Sequence, residues 1–193
     1  MLRMLLGHGF TAEPVQKPAA FCRLLRVAAL AALVGLLSPG SGAHAATPAD
    51  AISRMLALVN SARAENGLMP LTLEPHLTAA ACRQARDLSR GGPLTHQGRD
   101  GSDLGRRVSE SGYAFALAAE NLASGAPSPE ETVGLWLASP GHRRNILTEE
   151  FRDAGIAYQG PGQVWVLVFG AARRGTGGLA ARDLPQHVMV NGC

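Results

Sequence analysis

The spacing of apolar residues along this 193-residue chain changes character partway along it. Early segments repeat at helical intervals, and later ones run as short extended stretches. Thr47-Pro48-Ala49-Asp50 is a capping sequence with proline at the first helical position. Ile52, Met55, Leu56 and Val59 then follow at helical spacing, and Asn66-Gly67 stops this first helix. Leu71 and Leu73 lie in a short extended link. Pro75 opens a second helix, with Leu77, Ala81, Gln84 or Ala85, and Leu88 on one face. Gly91-Gly92-Pro93 ends it, and its alanine run 79–81 leaves room for a neighbouring element to pack closely. Residues 94–102 read as loop. Residues 103–111 form a short third helix with Leu104 and Val108 inward, closed by Gly112.

The pattern then shifts. Tyr113 to Leu122 is apolar and extended, and carries Glu120-Asn121 near its end. Ser128-Pro129-Glu130-Glu131 repeats the capping logic, and Val133, Trp136 and Leu137 give a fourth helix its apolar face. Pro140-Gly141 is expected to break that helix immediately before His142. Residues 154–158 and 164–169 read as strands joined by Gly160-Pro161-Gly162, the second almost wholly apolar like a buried central strand. From Ala171 onward the chain is Gly- and Arg-rich and irregular until Val188-Met189-Val190. There is no internal repeat. Helices first and strands later, with three strands, predict a layered α+β domain.

Charge narrows the partners. The whole chain carries 18 basic and 15 acidic residues. Setting aside the four cations and one carboxylate of residues 1–45 leaves 14 of each sign, and every remaining cation is arginine. No basic face for nucleic acid is expected. The pairs Arg106-Arg107, Arg143-Arg144 and Arg173-Arg174 read as solvated surface.

The N-terminus reads as an export signal. Arg23 and Arg26 flank the apolar run Val27–Leu37, Ser38-Pro39-Gly40 breaks it, and Ala43-His44-Ala45 offers an A-x-A cleavage site. The run is too short to span a bilayer core, which takes about 20 residues. Residues 1–20 are longer than a basic flank needs, which points to a start downstream of Met1. Expected boundaries are 1–45 for the extension and signal, 46–170 for the domain, and 171–193 for a tail. Cleavage at Ala45-Ala46 would send a monomer without a stable membrane span to the periplasm or the medium. Cys22 would leave with the signal. Cys82 and Cys193 remain in a compartment where disulfides persist, and a bridge between them is expected over a buried free Cys82 with an unpaired Cys193.

His96, Glu120 and His142 are the candidates for chemistry. Two imidazoles and a carboxylate suit a divalent metal with a coordination position left open. Without metal, a His/Glu pair suits a general base and its orienting group. Their spacing supports neither reading, since no two are close in sequence, and each alone is more often a structural hydrogen-bonding residue. Ser139 and His142 raise a hydrolase, but no G-x-S-x-G elbow is present and Ser139 reads as a helix terminator. Asn145 reads as a local bridge near His142, Arg63 as a helix-end residue satisfying carbonyls or an acidic group, and Trp136 and Trp165 as core.

Several short segments, in order, resemble the CAP superfamily: cysteine-rich secretory proteins, antigen 5 and pathogenesis-related proteins. They are Asn60-x-x-Arg63, Thr95-His96, Gly112-Tyr113, Ala119-Glu120-Asn121-Leu122-Ala123, Trp136 through Leu147, Ala154-Gly155-Ile156, and Trp165 to Phe169. The form Trp-x-x-Ser-Pro-Gly-His-Arg-x-Asn-Ile-Leu is closest to single-domain bacterial members. The resemblance implies a three-layer α-β-α sandwich around a small, mainly antiparallel sheet. It implies a cleft at His96, Glu120 and His142, supported by Ser139, Asn121 and Asn145. It also implies an extracellular binding role with a lipid, sterol or polysaccharide ligand. Many relatives carry a second glutamate where this chain has Ser139, so a metal on His96, His142 and Glu120 would be held weakly, and no other cofactor is expected. A hydrolase acting on envelope material and a purely structural envelope component are the alternatives, and enzymatic activity stays open.

Overall fold

The computed structural model describes residues 47–160, 162–173 and 193. The segment expected to be an export signal, its expected cleavage site, Cys22 and most of the tail lie outside the described residues. Helix α1 spans Pro48–Glu65 and starts on the expected box: Thr47 accepts from the Asp50 amide, and the Asp50 carboxylate accepts from the Thr47 amide. Strand β1, Thr72–Leu73, is a short fourth strand where the sequence showed only an extended link. Helix α2 spans Pro75–Ser89 and α3 Leu104–Glu110. Strand β2 spans Phe115–Ala123, and α4 spans Pro129–Ala138 behind its Ser128 cap. Proline ends α4 but also starts α5, Pro140–Ile146, so His142 is helical rather than placed in a break. The physical reason is that proline's preset φ and missing N–H cost nothing at a first helical position. Strands β3, Asp153–Gln159, and β4, Val164–Ala172, complete the sheet.

The strand order is β1-β3-β4-β2, with only the β1–β3 pair parallel. Alternation along β4 shows why this sheet is covered twice. Trp165, Leu167 and Phe169 face a core with Met55, Val59, Trp136 and Ile146, contributed by α1, α4 and α5. Val164, Val166 and Val168 face a second core with Leu77, Ala81 and Val108, contributed by α2 and α3. A continuous apolar strand is what burial on both faces requires. The result is the α-β-α sandwich. Both indole donors are met inside it, Trp136 by the Leu122 carbonyl and Trp165 by that of Ala126.

Close packing of α2 depends on small residues. A Cβ on Gly155 would stand 2.1 Å from the Leu77 backbone carbon, so only glycine lets the helix lie on β3 at this distance. Arg63 performs the opposite task on the other face. It is fully buried, and its guanidinium donates to the carbonyls of Met69, Ile146, Thr148 and Phe151. Asn60 pairs both amide atoms with the Leu71 backbone. The Asn60-x-x-Arg63 segment therefore ties α1 to the start of β1 and to the turn after α5. Cys82 and Cys193 are joined by a disulfide across 111 positions. Among the described residues, no helix is long and apolar enough to cross a membrane.

Candidate functional site

Strand β2 is an edge strand, and its pleat sorts the site. Successive side chains of a strand point to opposite faces. Leu122 joins the α2/α3 core and Ala123 the other, so Glu120 falls on the α2/α3 side and Asn121 on the α4/α5 side. The unpaired edge of β2 is capped by side chains: the Glu120 carbonyl accepts from Asn145 Nδ2 at 3.4 Å, and the Leu122 carbonyl from Trp136 Nε1. Elements of both helical layers thus meet around one sheet edge.

On the first side, Glu120 is buried to 1 % side-chain exposure between the His96 ring and the Arg107 guanidinium. The His96 ring donates from Nδ1 to Oε1 at 2.8 Å, and Arg107 donates from Nη2 to Oε2 at 2.8 Å. The same guanidinium donates from Nη1 to the His96 carbonyl at 2.9 Å and the Ser102 carbonyl at 3.1 Å. On the second side, Asn145 Nδ2 donates to Asn121 Oδ1 at 2.8 Å, and Asn121 Nδ2 donates to the His142 carbonyl at 3.1 Å. Asn145 is therefore a bridge from α5 to β2 and not a local one, because its position in the helix faces the strand edge.

A cavity of about 480 Å³ opens here, lined by His96, Gln97, Asp103, Leu104, Ala119, Glu120 and Asn145. The His96 side chain is 60 % exposed at its wall. His142 is half-buried and is not part of that wall; its backbone, not its ring, is what β2 holds. Ser139 ends α4 and precedes α5, and its hydroxyl makes no capping hydrogen bond.

The two imidazoles are pushed in opposite directions. The hydrogen bond that the ring donates to Glu120 raises His96 above the ordinary histidine value, with burial and Arg107 opposing. Burial lowers His142, and the charge of His96 adds to this. A divalent ion held jointly by His96, His142 and Glu120 does not fit this arrangement. Both carboxylate oxygens already accept hydrogen bonds from His96 and Arg107, Ser139 supplies no second carboxylate, and among the described residues no three His, Cys, Asp or Glu side chains stand together as a metal cage.

Arg107 is the residue the sequence reading misplaced. It is not solvated surface but 1 % exposed, because it shares a helical face with Leu104 and Val108. That i, i+3, i+4 spacing was the available signal, masked by the assumption that a charge points outward. Its neighbour Arg106 is exposed as expected and pairs with Glu110.

Comparison with known proteins agrees with the fold. Residues 56–169 match the family described as "CAP: Cysteine-rich secretory protein family". The Bacillus subtilis (strain 168) protein YkwD is 31 % identical over 116 residues, which is 60 % of this chain and 45 % of that protein. The chain thus spans less than half the length of this curated relative. An extracellular protein of Bacillus anthracis containing an SCP domain superposes with a TM-score of 0.58 at 24 % identity, covering 61 % of this chain and 39 % of that one. An outer surface protein of Borrelia burgdorferi superposes with a TM-score of 0.60 at 22 % identity, covering 64 % and 94 %. With the family match spanning more than half of its length, this chain belongs to the cysteine-rich secretory protein (CAP) family.

Proposed function

We propose that this chain is an exported binding module whose cleft beside Glu120 takes a small ligand, a lipid or a glycan. The observation that carries the reading is the cavity itself. It is open, about 480 Å³ in volume, and walled by Leu104 and Ala119 beside a few fixed polar groups. Small-molecule sites combine apolar walls with a few fixed polar groups in this way. Glu120 is fully engaged by its protein partners, which suits it to holding His96 in place rather than to attacking a substrate. Ser139 forms no hydrogen bond to a histidine ring, so the hydrolase reading lacks an activated nucleophile and ranks second. Export is supported by the signal-like N-terminus and by relatives described as extracellular or outer surface proteins.

The test is binding of fatty acid, sterol and glycan fragments to the purified chain, read by calorimetry and thermal shift. Gln97→Trp supplies the control, since Gln97 is an exposed cavity residue whose enlargement fills the mouth. At least one class should bind the wild type and lose its affinity in Gln97→Trp. Equal binding to both proteins, or to neither, would sink the proposal.

A further inference from the structure

The guanidinium of Arg107 is placed where no general requirement of the fold would put it. A buried Arg–carboxylate pair is weak as a source of stability, because desolvating both charges offsets most of their attraction. Apolar side chains would fill α3's inner face as well. Here the pair also leaves Arg107 Nε and the nearby Ser102 hydroxyl buried without partners. What the guanidinium does achieve is geometric. We infer that Arg107 is the positioning residue of the cleft, a buried fork that locks the His96 loop and the Glu120 carboxylate against each other.

The bonds form a closed ring. Arg107 Nη2 holds Oε2 of Glu120, whose Oε1 accepts from the His96 ring, and Nη1 returns to the His96 carbonyl. Ring and backbone of one histidine are therefore fixed from the same guanidinium. The second bond of Nη1, to the Ser102 carbonyl, holds the far end of the loop. That carbonyl also accepts from the Gly98 amide at 2.8 Å, so the loop closes on itself at the point Arg107 grips. The closure is tight: a Cβ on Gly98 would lie 2.6 Å from the Ser102 hydroxyl oxygen. With Nδ1 committed to Glu120, Nε2 of His96 has no hydrogen-bond partner among the described residues, and the ring stands 60 % exposed at the cavity wall. Lysine does not substitute for this role. It supplies the charge from a single point, whereas arginine spreads its donors over a rigid plane and reaches separate acceptors at once.

The inference rests on reading the cleft as the binding site, but its test needs no ligand, so failure of either is recognised separately. Amide hydrogen exchange and long-range ¹⁵N–¹H spectra of the His96 ring are recorded on the full chain at one fixed pH. The proteins are wild type, Arg107→Met, Arg107→Lys and Arg63→Met. Arg63 is an equally buried guanidinium on the opposite helical layer, bonded only to backbone carbonyls of residues that do not line the cavity. Both Arg107 variants should lose at least about tenfold protection at Gly98 beyond any global change, the mark of local opening. Their His96 ring signals should lose the signature of an Nδ1–H hydrogen-bonded to Glu120. Arg63→Met should lower thermal stability and leave both signatures in place. If Arg107→Met does not fold, Arg107→Lys, which keeps the charge, decides the matter. Wild-type behaviour of Gly98 and His96 in Arg107→Lys would overturn the inference, as would their loss in Arg63→Met. A Gly98 amide that exchanges in the wild type at the rate of an open loop would overturn it without any variant.

Discussion

Glu120 concentrates the electrostatics of the cleft in one side chain. Its carboxylate is buried with Arg107 on one oxygen and His96 on the other. Replacing it by glutamine keeps the shape and strands the buried Arg107 charge. Removing one partner of a buried pair costs about 3–5 kcal/mol. Glu120→Gln should therefore lower the urea midpoint by the equivalent of about 3 kcal/mol, and a loss below about 1 kcal/mol would mean that solvent reaches the pair. His142 should behave differently. Its ring is half-buried but makes no hydrogen bond among the described residues, so His142→Ala should lose packing only and cost less than about 1 kcal/mol. The two histidines also impose opposite pH slopes. The folded-state value of His96 is raised, so its stabilisation is full below the unfolded value of about 6.5 and is lost as pH rises through the folded value. That of His142 is lowered, so its contribution is present above about 6.5 and is lost as pH falls through the folded value. Unfolding curves between pH 5 and 8 separate them. Relative to wild type, His142→Ala should lose stability more steeply on going up in pH, and His96→Ala more steeply on going down. Identical slopes in all three proteins would refute both assignments. At this scale, His96, Glu120 and Asn121 were legible because their sequence neighbours carry the family-like pattern. Arg107 was not, because a charged residue beside exposed Arg106 on a short helix announces its burial only through the spacing of Leu104 and Val108.

At the scale of elements, the site depends on an edge strand whose neighbours come from two layers. The extended run ending in Glu120-Asn121 was readable, and so were the capped starts of α1 and α4 and the proline start of α2. Two features were not. Strand β1 is two residues long and exists through its parallel pairing with β3, which leaves no periodic trace in its own sequence. Helix α5 begins at a proline, and proline reads equally as a stop for one helix and a start for the next. Small-residue packing was only half visible. The alanine run on α2 suggested close approach, while the demand falls on Gly155 of β3. Gly155→Ala should force α2 away from the sheet, because its new methyl would meet backbone and not a flexible side chain. The expected cost is at least about 1–3 kcal/mol, the usual range for overpacking a close-packed interior. Differential scanning calorimetry checks it, and a melting temperature equal to wild type would show that α2 tolerates a shift the geometry denies.

At the scale of the whole molecule, one covalent link spans most of the domain. Cys82 is buried on α2, and Cys193 is the last residue of the sequence, 111 positions away. The pairing was readable in outline, since an exported chain retaining two cysteines is expected to use them. Its physical weight follows from the length of the closed loop. Chain-entropy models give about 4–5 kcal/mol for loops near 100 residues, as an upper figure because compact unfolded chains have less entropy to lose. Cys193→Ser is the cleaner variant for measuring this, since Cys82 is 1 % exposed and a hydroxyl there would add a buried polar group to the lost bond. Urea unfolding under non-reducing conditions should place Cys193→Ser well below wild type, by at least about 2 kcal/mol, the low end for native bridges. Adding a reductant should bring wild type down to the variant and leave the variant unmoved. The denaturant slope should rise in both reduced forms, because an uncrosslinked unfolded chain exposes more surface. Equal midpoints with and without reductant would show that the bridge constrains nothing that unfolding releases. A dimer held by Cys193 would move the link from within the chain to between chains, and its stability would then depend on protein concentration, which the intramolecular bridge forbids.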